Sequence, residues 1–113
     1  MGEILLLNNK NYDMLKDYMP KDNTLKKIAE FFNSFSDPTR VKIITALCVT
    51  EMCVNDLSIV LNLNQTTVSH QLKVLKASGI VDCTRFGKIM YYKIINDSVN
   101  DIISSGVDYL LAN

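Results

Sequence analysis

Along most of this chain apolar residues return every three or four positions, the spacing that gives a helix one buried face. Over residues 24–35 the repeat is Leu25, Ile28, Ala29, Phe32 and Phe35, with Lys26, Lys27 and Glu30 between them, which predicts an amphipathic helix. Ser36-Asp37-Pro38 ends it and starts another. Asp37 can accept from free amides as an N-cap, and Pro38 suits the first helical position. The helix predicted from Pro38 to about Leu47 turns Val41, Ile44, Ala46 and Leu47 inward, with Ile43 broadening the buried face. Val54 to Leu61 follow as a short helix behind Asn55-Asp56. The link Asn62-Leu63-Asn64 is three residues long, with Asn62 suited to a left-handed conformation and Asn64 to capping what comes next. From Gln65 the apolar repeat Val68, Leu72, Leu75 predicts a further helix stopped at Gly79. A tight helix-turn-helix results, whose second helix presents Gln65, Thr66, Ser69, His70, Lys73 and Lys76 on its polar face.

The period then changes. Ile80 to Arg85 and Ile89 to Ile95 are β-branched and aromatic runs around Phe86-Gly87-Lys88, the pattern of a hairpin with a glycine-dependent turn. The last segment places Val99, Ile102, Ile103, Val107, Leu110 and Leu111 on one face of a final helix. That face has two uses: packing on its own protomer, or pairing with the first amphipathic helix as a dimer surface. Residues 1–22 read as an N-terminal extension carrying a short helix over Tyr12 to Tyr18, ahead of one domain over 23–113. The fold class is mainly α with a small β-hairpin wing, a winged helix-turn-helix.

Composition narrows the class. A chain of 113 residues with 48% hydrophobic and 21% charged residues has enough apolar material for one core and too much for disorder. No stretch approaches the roughly 18 apolar residues of a membrane span, and the run Ile4 to Leu7 is too short for an export signal, so a cytoplasmic protein is expected. Cysteines at 48, 53 and 83 are odd in number and make no disulfide framework. The net charge is zero, but its distribution is uneven. Between residues 65 and 93, Lys73, Lys76, Arg85, Lys88 and Lys93 face a single acid, Asp82, a net +4, whereas the last twenty residues hold three aspartates and no base.

Those two features converge on nucleic acid. A short helix face of amide, hydroxyl, imidazole and ammonium groups suits phosphates at its start and base edges in a major groove. A three-residue turn supplies the docking geometry, and Arg85 and Lys88 on the hairpin reach for a neighbouring phosphate or the minor groove. His70, the only histidine, fits a DNA contact, an inert surface position or a lone ligand; one imidazole builds no metal site. The chain offers no nucleophile with a base and no glycine-rich phosphate loop, so an enzyme is not expected.

From Phe35 to Ile94 the sequence resembles the ArsR/SmtB family of winged helix-turn-helix repressors. The resemblance is carried by Asp37-Pro38-Thr39-Arg40, by Glu51 to Leu57, and by the run from Gln65 to Leu75. It implies a homodimer built on the first and last helices and bound to a double-stranded DNA operator. It also implies release of that operator by an inducer. Gln65, Thr66, Ser69, His70 and Lys73 fall where the family's recognition helix touches DNA, and Arg85 and Lys88 lie in its wing. The alternative is a winged-helix protein-interaction module that has kept the fold without operator binding.

The family's sensing motifs are incomplete here. Where many members have Cys-Val-Cys-Asp-Leu for soft metals or arsenic(III), this chain has Cys53-Val54-Asn55-Asp56-Leu57, a thiolate replaced by an amide. The family's metal positions on the final helices correspond to Asn96, Ser98, Tyr109 and Ala112, none a good ligand. Cys48 and Cys53 remain as candidate sensing residues. They are open to three readings: small buried hydrophobes, thiols that oxidise, or a soft-metal or arsenic(III) corner. No other cofactor is implied.

Overall fold

A computed structural model describes residues 4–112. Its helices and strands follow from local signals. Helix α1 (Asn9–Tyr18) starts three residues before the expected Tyr12 because Asn8 caps it, its side-chain oxygen accepting from the Asn11 amide at 2.8 Å. After Pro20 the chain enters α2 (Asp22–Asn33), with Asp22 in the first turn where a negative charge complements the helix dipole. It ends two residues before Phe35. There the Ser36 hydroxyl donates to the Asn33 carbonyl at 2.7 Å and closes a turn. Helix α3 (Pro38–Val49) begins as its sequence demands, with Pro38 at the start and the Asp37 carboxylate accepting from the Arg40 amide at 3.0 Å.

A two-residue strand β1 (Met52–Cys53), α4 (Val54–Leu61) and α5 (Gln65–Ala77) come next. Asn62 closes α4 at φ 54°, the one non-glycine residue with positive φ among the described residues, and Asn64 caps α5 by accepting from the Thr67 amide at 2.7 Å. Gly79, at φ 76°, terminates the α5 turn in the left-handed position that favours glycine. Strands β2 (Val81–Phe86) and β3 (Ile89–Ile94) form the hairpin, and α6 (Ser98–Leu111) ends the described chain.

Two details depart from the sequence pattern. The wing is a three-stranded antiparallel sheet in the order β1-β3-β2, with Met52, Tyr92 and Cys83 in one cross-strand row and Cys53, Tyr91 and Thr84 in the next. A strand of two residues is too short to show any alternation. Phe86 belongs to β2, so the turn is Gly87-Lys88 alone.

The core is the meeting of α3, α4, α5, the sheet and the start of α6. Ile43, Ile44, Leu57, Val68, Leu72, Leu75 and Val81 are completely buried, joined by Leu47, Ile80 and Val99. Phe31 and Phe35 bring the end of α2 onto this cluster, and Ile103 brings the first half of α6. The rest of α6 is not covered: Val107, Tyr109, Leu110 and Leu111 are exposed. Neither α1 nor α2 buries a single residue. The molecule measures 64 × 35 × 24 Å with a radius of gyration of 19.2 Å, against about 13 Å for a compact chain of 100 residues. Among the described residues no helix is long and apolar enough to cross a membrane.

Candidate nucleic-acid interface

Helix α5 has two faces with opposite fates. Val68, Leu72 and Leu75 are fully buried, which fixes the helix rotationally. The face turned outward by that constraint holds Gln65, Thr66, Ser69, His70 and Lys73, all exposed, and the five together line one open concavity. The groups that sequence spacing places on one side are therefore brought together, at the start and middle of a helix whose Thr67 amide is capped by Asn64. Lys76 departs from this set. Its ammonium donates to Cys83 Sγ at 3.3 Å, linking α5 to β2, and that hydrogen bond raises its pKa above the ordinary lysine value.

The angle between α4 and α5 is held by polar contacts as well as by Leu57. The Ser58 hydroxyl donates to the Leu63 carbonyl across the turn. Asn55 Oδ1 accepts from Gln65 Nε2 at 3.0 Å, a bond from α4 to the first residue of the exposed face of α5. Asn55 occupies the position where the resembled motif carries its second cysteine. In this chain it makes a hydrogen bond that orients Gln65.

Arg40 enters the sequence only as part of the Asp37-Pro38-Thr39-Arg40 run, and its contacts give it a structural role. Its Nε donates to the Ser34 carbonyl at 3.1 Å, Nη2 to the Asn33 carbonyl at 3.3 Å, and Nη1 to Gln71 Oε1 at 3.4 Å. The guanidinium thus neutralises the carbonyl end of α2 and touches α5 on its flank. The signal was present as an arginine three residues after an N-cap aspartate, but its partners lie on two other helices.

On the hairpin, Arg85 and Lys88 are exposed, Lys88 at the turn and Arg85 opposite Met90 in β3. They extend the positive surface beyond α5.

The three cysteines are free thiols, each half-buried. Cys48 and Cys53 are not joined. Cys48 leaves α3 toward a groove shared with Asn100, Ile103 and Ser104 of α6, whereas Cys53 is paired with Tyr91 of β3. Burial pushes the Cys48 thiol above its ordinary pKa, which keeps it protonated and weakens it as a nucleophile or metal ligand at neutral pH. Among the described residues no three His, Cys, Asp or Glu side chains gather as a metal site would require.

Comparison with known proteins bears on this geometry. The profile of the bacterial regulatory protein arsR family matches residues 37–82, from the cap of α3 to the first strand of the hairpin. The cadmium resistance transcriptional regulatory protein CadC of Listeria innocua is 32% identical over 108 residues, which are 95% of this chain and 90% of that protein. The transcriptional repressor SmtB homolog of Synechocystis is 33% identical over 85 residues, 75% of this chain and 64% of that protein. The solution structure of a homodimeric winged helix-turn-helix DNA-binding domain from Mycobacterium bovis, described as a possible ArsR-family regulator, superimposes with a TM-score of 0.73 at 24% identity. It covers 84% of this chain and 94% of that one.

Proposed function

This chain belongs to the arsR family of bacterial regulatory proteins, and from that premise we propose that it is a homodimeric repressor reading a DNA operator with α5. One observation carries the reading. Gln65, Thr66, Ser69, His70 and Lys73 form a single exposed surface on a helix held rigidly from behind, with Arg85 and Lys88 beside it on the wing. In this arrangement Gln65 and Ser69 address base edges, Thr66 and Lys73 fix register on phosphates, and His70 adds a donor within the groove. Arg85 and Lys88 bind the flanking backbone. Residues 23–113 are the DNA-binding and dimerising unit, and 1–22 are an extension of it.

A second copy is called for by the surfaces left open. Leu25, Ile28 and Phe32 on α2 and Val107, Leu110 and Leu111 on α6 expose apolar faces that water would otherwise cover. Pairing them sets the separation of the two α5 helices, and so the spacing of the operator half-sites. Release then follows from any event that changes this separation, at a coupling energy of typically ~1 to 3 kcal/mol. If a thiol oxidant or a soft ion such as cadmium or arsenite is that event, Cys48 and Cys53 are the groups through which it acts.

The test is a titration of the promoter of the protein's own operon at fixed salt, since phosphate contacts make affinity steeply salt-dependent. With Gln65, Ser69 and Lys73 all replaced by alanine, affinity is expected to fall at least about 100-fold, given roughly 1 to 3 kcal/mol per base-directed pair. Retained affinity would overturn the reading and favour a protein-interaction module. If oxidant, cadmium or arsenite releases the operator, that release is expected to disappear in Cys48→Ser or Cys53→Ser.

A further inference from the structure

The wing tip carries more than charge. Phe86 is 63% exposed and Ile89 48% exposed, two apolar side chains left at the end of a hairpin. They are direct cross-strand partners, so they stand on the same face of the sheet. The Phe86 ring meets Tyr91 of β3 edge to face, with centroids 5.8 Å apart, which holds it upright on that face. Between them the turn is two residues. Gly87 takes φ +62° with no heavy atom within 4 Å of where a Cβ would stand, and Lys88 follows, exposed. The tip is thus narrow, apolar on one face and cationic at its apex, with Arg85 one residue below on the opposite face.

We propose that Phe86, backed by Ile89, is an apolar wedge that enters the minor groove and partly unstacks a base step, while Lys88 and Arg85 hold the phosphates on either side. The proposal rests on the DNA-binding reading above and extends it to shape recognition. The charge around the tip selects the occupant. A protein partner for Phe86 and Ile89 would have to be acidic as well as apolar, whereas the polyanionic minor groove, about 6 Å wide, takes an upright aromatic edge between cations. The exposed pair Ile59 and Val60 on α4 has no such setting, with Asn55 and Asp56 as its neighbours on the same helix. A wedge makes the protein sensitive to base steps that unstack easily, pyrimidine–purine steps above all, at positions no side chain reads by hydrogen bonding.

The experiment uses the full chain and a duplex recovered with it from a random-sequence pool, carrying 2-aminopurine at successive positions beside the half-site. Wild-type protein is expected to raise 2-aminopurine fluorescence at one step per half-site. Phe86→Ala should abolish that rise and weaken binding about tenfold. Phe86→Leu should keep most of both, and Lys88→Ala should keep the rise while lowering affinity and the salt dependence together. A wild-type complex with no fluorescence rise at any position, or a rise unchanged in Phe86→Ala, overturns the wedge and leaves operator binding through α5 intact. Failure to recover any duplex overturns both.

Discussion

Arg40 shows how much one side chain can organise. Its three donors reach two carbonyls at the end of α2 and the amide of Gln71 on α5, so it joins the end of α2 to the helix that carries the exposed polar face. Lysine keeps the charge but lacks the planar fork. Arg40→Lys is expected to lower unfolding stability by roughly 1 to 2 kcal/mol, measured by urea denaturation, because at least one partner loses its bond. Asn55→Ala makes the complementary case. It removes a bond between exposed side chains, so stability should change by less than about 0.5 kcal/mol while operator affinity falls several-fold as Gln65 loses its orientation. At Cys48 the folded state favours the neutral thiol. Its stabilising effect is complete below the ordinary thiol pKa and fades as pH rises through the higher folded value. Alkylation of Cys48 by iodoacetamide should accordingly reach half its maximal rate at a higher pH in the native protein than in urea; equal midpoints would contradict the burial.

At the scale of elements, the helix-turn-helix is a unit whose geometry is over-determined. Asn62 in the left-handed region, the Ser58 hydroxyl bonded to Leu63, the Asn64 cap and the buried Leu57 and Leu72 all specify one α4–α5 angle. Replacing Asn62 by alanine should cost about 1 to 2 kcal/mol, since a Cβ without a local polar group is strained there, and replacing it by glycine should cost nothing measurable. Leu72→Ala opens a cavity behind the exposed face of α5 and is expected to cost roughly 2 to 5 kcal/mol of stability. Thermal denaturation distinguishes these variants from surface changes on the same helix. The wing depends on a different device. Its register, Val81 opposite Ile94 through Phe86 opposite Ile89, is set by burying Val81, with Ile94 packed partly buried against the core, at the base and by a two-residue turn at the tip.

The whole molecule is extended, and its extension has a physical cause. Helices α1 and α2 contribute no buried residue, and the second half of α6 projects with its apolar face uncovered. A second copy can supply the missing cover. Leu110→Glu is expected to convert a dimer at micromolar concentration into monomers in sedimentation without loss of secondary structure, because Leu110 is 77% exposed within the protomer. Ile103→Glu should instead also destabilise the fold, since Ile103 packs against the core of its own chain. A Leu110→Glu protein that stays dimeric would show that α6 does not form the contact.

What the residues determine alone is local and periodic. The caps at Asp37 and Asn64, the left-handed Asn62, the glycine stops and the apolar repeat of α5 are interactions between neighbours in sequence, so they specify the helices, the tight turn and the polar face of α5. They also place Gln65, Thr66, Ser69, His70 and Lys73 together before any packing is considered. The tertiary structure decided what depends on residues distant in sequence. The pairing of Met52 and Cys53 with β3 needs a partner forty residues away, and two residues carry no period to announce it. The division of α6 into a half that packs on α3 and a half left open could not be read from an apolar face that is continuous along the helix. Arg40 and Asn55 acquired their roles only when α2, α3, α4 and α5 came together. Periodicity records which face of an element turns away from water, but what covers that face is settled by where the chain places the other elements.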